Sequence, residues 1–424
     1  MNAESILQSY QHFGVHLGLE RINQLLEKLD NPQQKVPIIH IAGTNGKGSV
    51  CAYLSSILTE AGYRVGRYTS PHLIDWTERI CINQKPISPT ELQEYLERVI
   101  AATENDTETP TQFEIITAAA WLYFAEQKTD IAVIETGLGG RLDATNVCEN
   151  PLASVITSIS LEHWQILGPT VADIAGEKAG ILKSKCPAII GELPEDARMV
   201  IEKRIQELDC SATWVKPAID LGQGLAEYQS NQNTVTIKYE LPLLGKIQLM
   251  NSAIAIATIQ TLQNQGWKIS QTAIKNGIAK TQWLGRLQQT TWKNRQILID
   301  GAHNPAAAIA LREYVDDLNI SQPPINWVIG ILATKDCDDI LKALLKKGDR
   351  LYLVPIPDQN STSPAELAAL AQKICPELKH CQIFPDLTTA LDDAVVENNL
   401  TVLCGSLYLI GYFLKIQTSR IHQR

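Results

Sequence analysis

The strongest constraint on this chain is a glycine-rich turn, residues 43–49, between a strand-like and a helix-like segment. The apolar run 36–41 precedes it, and the helix-like segment 50–61 follows it. Glycines let the backbone turn tightly enough for consecutive N–H groups to point at one anion. The N-terminus of the following helix adds partial positive charge at the same place. The order strand, turn, helix therefore predicts a phosphate-binding loop.

The residues of this turn are suited to a nucleoside triphosphate. Lys47 supplies a full positive charge for the phosphates, and the Ser49 hydroxyl can reach a magnesium ion. The common phosphate loop has Ser or Thr directly after its lysine, but here Gly48 intervenes, so the pattern is a shorter variant. A glycine-rich surface turn is the alternative, but the flanking strand and helix favour phosphate binding. We expect ATP to be bound by Gly43, Thr44, Asn45, Gly46, Lys47, Gly48 and Ser49.

Composition limits the classes of protein that remain open. A chain of 424 residues with 45% hydrophobic residues can form two or more domains with a sizeable core. The net charge of -9 argues against binding of nucleic acid, whose phosphates attract an excess of Lys and Arg. The sequence has neither an N-terminal secretory pattern nor an apolar stretch of the ~20 residues that a membrane span needs. The nine cysteines form no Cys-x-x-Cys pair, which is typical of reduced thiols in a cytoplasmic protein.

Short apolar runs alternate with helix-like segments along the chain. Strands are expected at 36–41, 65–69, 131–135, 154–158, 188–190, 297–300, 327–332, 351–354 and 401–404. Helices are expected at 50–61, 113–126, 251–264 and 272–280, with strands and hairpins within 212–249. This alternation predicts an α/β protein with an N-terminal parallel-sheet ATPase domain and a smaller, Rossmann-like C-terminal domain. We place the domains at 1–284 and 285–424, with a linker in the polar stretch Thr290–Arg295.

Polar or glycine-rich clusters follow several of the expected strands. Because open parallel sheets bind ligands at the carboxyl ends of their strands, we expect these clusters to face one cleft between the two domains. Glu135 ends an apolar strand, where a carboxylate is well placed to hold magnesium, although a turn-capping role is the alternative. The clusters comprise residues 43–49, 69–72, 135–146 and 300–304.

Other candidates are ambiguous when each is considered alone. His163 follows a strand and fits a structural role as well as a functional one. Lys178 lies in a segment that has the pattern of an ordinary charged helix end. Arg286 suits a bidentate phosphate contact. Asp300 and His303 combine an acid and a base at a strand end, although the same segment could simply begin a helix.

Taken together and in this order, the motifs resemble the folylpolyglutamate synthase and dihydrofolate synthase family, a branch of the Mur-type ATP-dependent amide ligases. The resemblance extends over nearly the whole chain. The segments that carry it, besides the phosphate loop, are His16–Ile22, Thr69–Leu73, Glu78–Ile80, Phe113–Glu114, Glu135–Asn146, Glu177–Ile181, Asp300–Pro305 and Gly405–Gly411.

The resemblance implies a ligase reaction. A substrate carboxylate takes the γ-phosphate of ATP, and the amine of L-glutamate then displaces phosphate from the acyl phosphate. The carboxylate would be dihydropteroate, a folate, or both in turn. The resemblance also implies two Mg²⁺ ions, a monomeric protein, and a C-terminal domain that binds glutamate and closes on ATP. A Mur-type ligase for a cell-wall or storage-peptide substrate, and a non-catalytic nucleotide switch, are the alternatives.

The resemblance also assigns roles to individual residues. The residues that match the magnesium ligands of the family are Ser70, Glu135, His163 and Lys178, the last as a carbamate. The residues that match its further ATP contacts are Asn251, Arg286 and Asp300. The residues that match its positions near the pterin or the glutamate are Phe113, Arg141, Asp143, His303 and Ser406. Catalytic roles fall to Lys47, Lys178 and His303.

The chain departs from the family pattern in several places. Glu162 stands where Asp usually precedes the magnesium-binding histidine, and Leu284 stands where Pro is common. Thr334 replaces a frequent Asp before Lys335, and Gln112 replaces a frequent aromatic residue before Phe113. None of these changes removes an expected ligand, but Gln112 bears on the specificity for the pterin.

Overall fold

The computed structural model describes residues 2–10, 16–103, 108–230, 235–318, 324–396 and 399–421. It divides into two compact units. The first comprises Met1–Pro242 and Ile247–Gln282, and the second comprises Leu243–Lys246 and Trp283–Arg424. Within the described ranges, every helix is too short or too polar to span a bilayer.

An eight-stranded sheet forms the centre of the first unit. Its strands are β1 (Ile38–Ala42), β2 (Val65–Tyr68), β3 (Ile80–Ile82), β4 (Lys85–Pro86), β5 (Ile131–Glu135), β6 (Ala153–Ile156), β7 (Ala188–Ile190) and β8 (Ala212–Trp214). The spatial order is β4-β3-β2-β5-β1-β6-β7-β8, parallel from β2 to β8 and antiparallel at β3 and β4. Strands β1, β5 and β6 are buried along their whole length, which explains their continuous apolar runs.

The helices of the first unit differ in how much of their surface is buried. Those that pack deepest, α3, α5 and α9, are apolar nearly all round, whereas α2 buries one stripe formed by Ile22, Leu25 and Leu26. The helices are α1 (Ala3–Ser9), α2 (Glu20–Lys28), α3 (Lys47–Glu60), α4 (Pro89–Ala101), α5 (Gln112–Glu126), α6 (Trp164–Leu167), α7 (Val171–Ala179), α8 (Glu195–Leu208), α9 (Ile247–Asn264) and α10 (Gln271–Ala279).

A small antiparallel sheet completes the first unit. Its strands are β9 (Ile219–Gly222), β10 (Leu225–Gln229) and β11 (Thr236–Glu240). Ala226 and Tyr228 of β10 and Ile237 and Tyr239 of β11 are buried, and the residues that alternate with them are exposed or partly exposed, because one face of this sheet is solvated. The polar alternation in the sequence therefore correctly predicted hairpin strands in this region.

The second unit contains a six-stranded sheet of order β12-β13-β17-β14-β15-β16, in which only β12 is antiparallel to its neighbour. Its strands are β12 (Gln288–Trp292), β13 (Arg295–Ile299), β14 (Asn326–Ile329), β15 (Arg350–Leu353), β16 (His380–Ile383) and β17 (Thr401–Cys404). Its helices are α11 (Pro305–Asp317), α12 (Cys337–Leu344), α13 (Pro364–Ile374), α14 (Leu387–Ala394) and α15 (Leu407–Ile421). The expected α/β class is confirmed.

The expectation of a linker at Thr290–Arg295 was wrong. These residues belong to the hairpin of β12 and β13, in which Trp292 pairs with Arg295. Lys293 and Asn294 form the two-residue turn with φ of 45° and 66°. Such a turn requires positive φ at both central residues and usually contains glycine, so its sequence signal is weak here.

A buried ion pair connects helix and sheet in the second unit. One guanidinium nitrogen of Arg312 lies 2.6 Å from a carboxylate oxygen of Asp349, and both side chains are buried. The same carboxylate oxygen accepts hydrogen bonds from the Trp327 indole at 3.0 Å and from the Lys346 backbone N–H at 3.0 Å. Asp349 therefore joins α11, β14 and the turn before β15.

Replacing Asp349 by Ala should destabilise the protein by about 3–5 kcal/mol, because it removes the buried carboxylate that pairs with Arg312 and leaves only the 38% exposed Asp316 beside that charge. The matched control is Glu377→Ala, which removes the exposed pair with Lys347 and should cost under about 1 kcal/mol. Free energies of unfolding from urea titration would measure both. Equal costs for the two variants would contradict the role assigned to the buried pair.

Candidate active site

The candidate residues of the first unit lie at the carboxyl ends of neighbouring parallel strands. Ser70 follows β2, Glu135 is the last residue of β5, the turn 43–49 follows β1, and Ser158 follows β6. Since β2, β5, β1 and β6 are adjacent and parallel, these segments meet at one edge of the sheet.

The backbone of the glycine-rich turn packs closely against two other elements. Gly46 is the N-cap of α3 and has a φ of 87°, a conformation that favours glycine. A Cβ at Gly46 would overlap the side-chain amide of Asn251 on α9, and a Cβ at Gly43 would overlap the hydroxyl of Thr157. Both glycines are therefore required by the packing as well as by the turn.

Polar residues at the end of β6 hold this turn in place. The Thr44 N–H donates to the Ser158 carbonyl at 2.7 Å. The hydroxyls of Thr157 and Ser158 both donate to the Asn45 carbonyl, at 2.7 and 3.0 Å. Neither Thr157 nor Ser158 was among the residues predicted for the site from the sequence. The sequence signal that could have found them is a pair of hydroxyl residues at the end of an apolar, strand-like run. Because β6 is the neighbour of β1 in the sheet, these hydroxyls lie beside the turn that follows β1.

Two lysine ammonium groups converge on one carbonyl oxygen of the turn. The Lys47 Nζ donates to the carbonyls of Gly43 and Thr44 at 3.0 and 3.2 Å, and the Lys178 Nζ donates to Gly43 at 2.8 Å. Lys178 is buried, and burial lowers its pKa to about 7, with the nearby Lys47 charge as the second cause. A substantial fraction of Lys178 is therefore a neutral amine near pH 7.

Glu135 connects the turn with the segment after β2. The Ser70 N–H donates to Glu135 Oε2 at 3.2 Å, and the Lys47 Nζ lies 3.9 Å from Glu135 Oε1. Ser70 Oγ is buried without a hydrogen-bond partner in the described part of the chain. A carboxylate beside an unpartnered hydroxyl fits a hard cation such as Mg²⁺. Among the described residues no three His, Cys, Asp or Glu side chains cluster as a metal site, so hydroxyl, water or phosphate oxygens would complete the shell.

His163 differs from these residues in its surroundings. It is the N-cap of α6 with a φ of 51°, its side chain is 44% exposed, and its Nε2 lies 3.9 Å from Glu162 Oε1. Its segment is joined to the glycine-rich turn through the Ser160 N–H, which donates to Thr44 Oγ1 at 3.0 Å. A metal-binding role for His163 stays a prediction.

The loop 136–146 after β5 packs against α7, the helix that contains Lys178. The Arg141 guanidinium lies 2.8 Å from Glu177 Oε1, and the Arg141 N–H donates to the Glu177 carbonyl at 2.7 Å. A Cβ at Gly180 would overlap the Cα of Arg141, so this glycine allows the close approach. The position of the loop 136–146 and the position of Lys178 on α7 are therefore coupled.

The Asp143 carboxylate is engaged by its own loop. It accepts from the Leu138 N–H at 2.8 Å and from the Thr145 N–H at 3.0 Å, and burial raises its pKa. The Thr145 hydroxyl in turn contacts His40 Nε2 at 2.8 Å. Asp143 therefore shapes the loop that the resemblance places near the pterin.

Phe113 lies at the first turn of α5 and faces the same loop. Its ring occupies the space where a side chain at Gly137 would lie, and its centroid is 6.2 Å from that of Tyr68. Gln112, where the family often has an aromatic residue, donates through Nε2 to the Leu7 carbonyl at 2.7 Å. Gln112 is thus used to hold α1 against α5.

In the second unit, the Asp300 carboxylate organises the turn after β13. It accepts from the Leu287 and Ala302 N–H groups, both at 2.8 Å, and burial raises its pKa while Arg286 opposes that rise. His303 Nδ1 lies 2.7 Å from the Gly301 carbonyl, so the ring is oriented by the same turn.

Ser406 directly precedes α15 beside that turn. Its hydroxyl accepts from the Tyr408 N–H at 3.2 Å, and the side chain is buried. The Gly405 N–H donates to the Ala302 carbonyl at 3.0 Å, which joins the loops after β13 and β17. Within the second unit, Asp300, His303 and Ser406 thus lie on connected strand-end loops.

Comparison with known proteins shows that both units match proteins of the same family. The model of the Mur ligase middle domain matches residues 41–259, and that of the dihydrofolate synthetase C-terminal domain matches 282–416. Dihydrofolate synthetase of Saccharomyces cerevisiae is 34% identical, covering 96% of this chain and 99% of that protein. Dihydrofolate synthase/folylpolyglutamate synthase of Bacillus subtilis is 33% identical, covering 97% of each. The structure of E. coli FolC in complex with DHPP and ADP superposes with a TM-score of 0.87 at 29% identity, covering 99% of this chain and 98% of that one.

The lowered pKa of Lys178 predicts a pH-dependent stability cost. Below about pH 7 the folded and unfolded states both carry this charge, so the full cost of burying it is present. Between pH 7 and 10 only the unfolded state binds the proton, so the cost disappears as the pH rises. The stability advantage of Lys178→Met over the parent should therefore shrink by roughly 1 kcal/mol per pH unit across this range.

Urea unfolding from pH 6 to 10 in CO₂-free buffer would measure this difference. Lys203→Met, which removes an exposed lysine from α8, is the control and should show a difference from the parent that does not vary with pH. A pH-independent difference for Lys178→Met would mean that Lys178 keeps an ordinary pKa.

Proposed function

The chain belongs to the dihydrofolate synthase/folylpolyglutamate synthase family of Mur-type ligases, and from this premise we propose how its residues carry out the reaction. It is an ATP-dependent ligase that joins L-glutamate to dihydropteroate, to a folate, or to both in turn. The observation that carries the assignment of residues is the convergence of Lys47, Lys178, Glu135 and Ser70 at the strand end occupied by the glycine-rich turn.

ATP binds with its phosphates at the turn 43–49. The N–H groups at the start of α3 and the Lys47 ammonium stabilise the phosphate charge, and Asn251 packs against the turn from α9. Mg²⁺ would be held by Ser70, Glu135, His163 and modified Lys178, and it would neutralise the charge on the transferring phosphate. Phosphoryl transfer depends mainly on positioning and charge neutralisation, which this set of groups supplies.

Lys178 acts as a carbamate. Its neutral amine forms a bond to the carbon of CO₂ and loses a proton, giving an anionic group with two oxygens. Burial and the pKa near 7 support this reaction, because only the neutral amine is nucleophilic. The product also replaces a repulsion between two lysines by an attraction, since Lys47 contacts the same Gly43 carbonyl.

The bond-forming steps follow from this arrangement. The substrate carboxylate attacks the γ-phosphate and releases ADP, and the glutamate amine then attacks the acyl carbon and releases phosphate. In the second unit, Arg286 and Asp300 contact ATP, with Asp300 also shaping its turn, whereas His303 and Ser406 bind and orient glutamate. We place the glutamate-binding domain at 285–424, which lies within the second unit, and the ATP- and pterin-binding domain at 1–284.

The pterin substrate lies between α5 and the loop 136–146. Phe113 provides an aromatic face, and Arg141 provides positive charge at the loop surface. Asp143 contributes by holding the loop rather than by offering a free carboxylate. We further propose that the protein is a cytoplasmic monomer whose partners are these small molecules, with no nucleic acid or membrane involved.

The function is tested by magnesium-dependent ADP release from ATP with L-glutamate and one carboxylate at a time. Dihydropteroate, tetrahydrofolate and a cell-wall nucleotide precursor form the three arms, and omission of the carboxylate is the blank. Release with dihydropteroate, tetrahydrofolate or both is the expected result and distinguishes a mono- from a bifunctional enzyme. Release only with the cell-wall nucleotide, or with none of the three, would contradict the proposal.

Lys47→Ala should lower kcat by about 10²–10³-fold, because the variant loses the charge that faces the γ-phosphate. The fold should survive, since Lys47 is the first residue of α3 and its ammonium contacts groups at strand ends, the Gly43 and Thr44 carbonyls and the Glu135 carboxylate. Lys203→Ala is the control and should retain full activity. A kcat within threefold of the parent for Lys47→Ala would refute the role of the turn in catalysis.

A further inference from the structure

The first turn of α5, which presents Phe113, contains a buried acid. Thr111 and Glu114 form a reciprocal cap, in which the Thr111 N–H donates to Glu114 Oε2 at 2.7 Å and the Glu114 N–H donates to Thr111 Oγ1 at 3.2 Å. The Glu114 side chain is only 3% exposed. A carboxylate so far from solvent is costly unless a cation pairs with it, so the cap alone leaves this turn incompletely stabilised.

Arg21 at the start of α2 supplies that cation. Its Nε lies 3.2 and 3.3 Å from the two carboxylate oxygens of Glu114, and its side chain is 18% exposed. A second guanidinium nitrogen donates to the His16 carbonyl at 3.0 Å. The remaining nitrogen faces Glu108 at 3.6 Å, but that side chain is 71% exposed and contributes little. Arg21 therefore connects the segment 16–21 to the turn that carries Phe113.

The same segment also contacts the loop on the other side of Phe113. The Gly18 N–H donates to the Leu142 carbonyl at 3.4 Å, within the loop 136–146. Phe113 in turn packs over Gly137 of that loop. The segment 16–21 thus contacts both structural elements that flank the Phe113 ring, and Arg21 is its charged connection to one of them.

We propose that Arg21 is a positioning residue for the pterin ring of the substrate, acting through Glu114 to hold Phe113 opposite Gly137. This inference rests on the proposed function, because it concerns the same pterin site. The turn that binds ATP is held by Thr157, Ser158 and Asn251. Loss of Arg21 should therefore weaken pterin binding selectively and leave ATP binding unchanged.

The test compares Arg21→Gln with a control variant of an arginine whose partner carboxylate also lies on α5. Arg98→Gln removes the pair with Glu126 at the opposite end of α5, where the two groups are 2.9 Å apart at Arg98 Nη1 and Glu126 Oε2. We expect Arg21→Gln to raise KM for dihydropteroate about tenfold, with KM for ATP within twofold of the parent. Arg98→Gln should leave both constants within twofold, and Arg21→Lys should restore part of the pterin affinity because it keeps the charge.

A second variant keeps the test informative if Arg21→Gln folds poorly. Glu114→Gln retains a capping side chain and removes the buried charge, so Arg21→Gln/Glu114→Gln contains no unpaired buried carboxylate. Because Arg21 acts through Glu114, the double variant should raise KM for dihydropteroate no further than the worse single variant. Additive increases, an equal rise in KM for ATP, or an unchanged KM in folded Arg21→Gln would overturn the proposal.

Hydrogen exchange separates this inference from the proposed function. In the ligand-free protein, Arg21→Gln should accelerate exchange of the amides of 111–114 and 142–146 at least tenfold and leave those of 44–50 unchanged. If the parent released no ADP with any pterin, the proposed function would be wrong. The exchange rates at 111–114 would still show whether Arg21 holds the first turn of α5 in place. Unchanged exchange at 111–114 would overturn the positioning role even in an active ligase.

Discussion

The close approach of the turn 43–46 to its neighbours is the constraint on which the candidate site depends. A side chain at Gly43 would overlap Thr157, and a side chain at Gly46 would overlap Asn251. Because no Cβ intervenes, the hydroxyls at the end of β6 reach the Asn45 carbonyl directly. The turn is therefore held in shape from two sides before any phosphate arrives, which lowers the conformational cost of binding.

This packing also creates an electrostatic problem at the Gly43 carbonyl. The carbonyl faces two ammonium groups, Lys47 and Lys178, and only Lys47 has a carboxylate, Glu135, within 4 Å among the contacts described above. Burial and the neighbouring cation both favour the neutral form of Lys178. Lys178 is consequently available as a neutral amine near pH 7.

Several acidic residues that look like ligands in the sequence act on their own loops. Asp143 accepts two backbone N–H groups of its own loop, Asp300 accepts one from Ala302 in its own turn and one from Leu287 before β12, and both carboxylates are buried. Such carboxylates fix strand-end loops in the shape that presents other groups, among them Arg141 and His303. The Arg21–Glu114 pair does the same for the aromatic ring at the start of α5.

The sequence by itself determined the α/β class, the glycine-rich turn between β1 and α3, and strands such as β5, β7 and β17, whose bounds agree with the expectation residue for residue. These features are local: buried parallel strands are continuous apolar runs, and the turn needs its glycines wherever it occurs. Only the tertiary structure decided that 290–295 is a hairpin, that Thr157 and Ser158 support the turn, and that Lys178 has a lowered pKa. Those properties depend on which distant segments become neighbours and on how completely water is excluded, and neither is written in the spacing of residues along the chain.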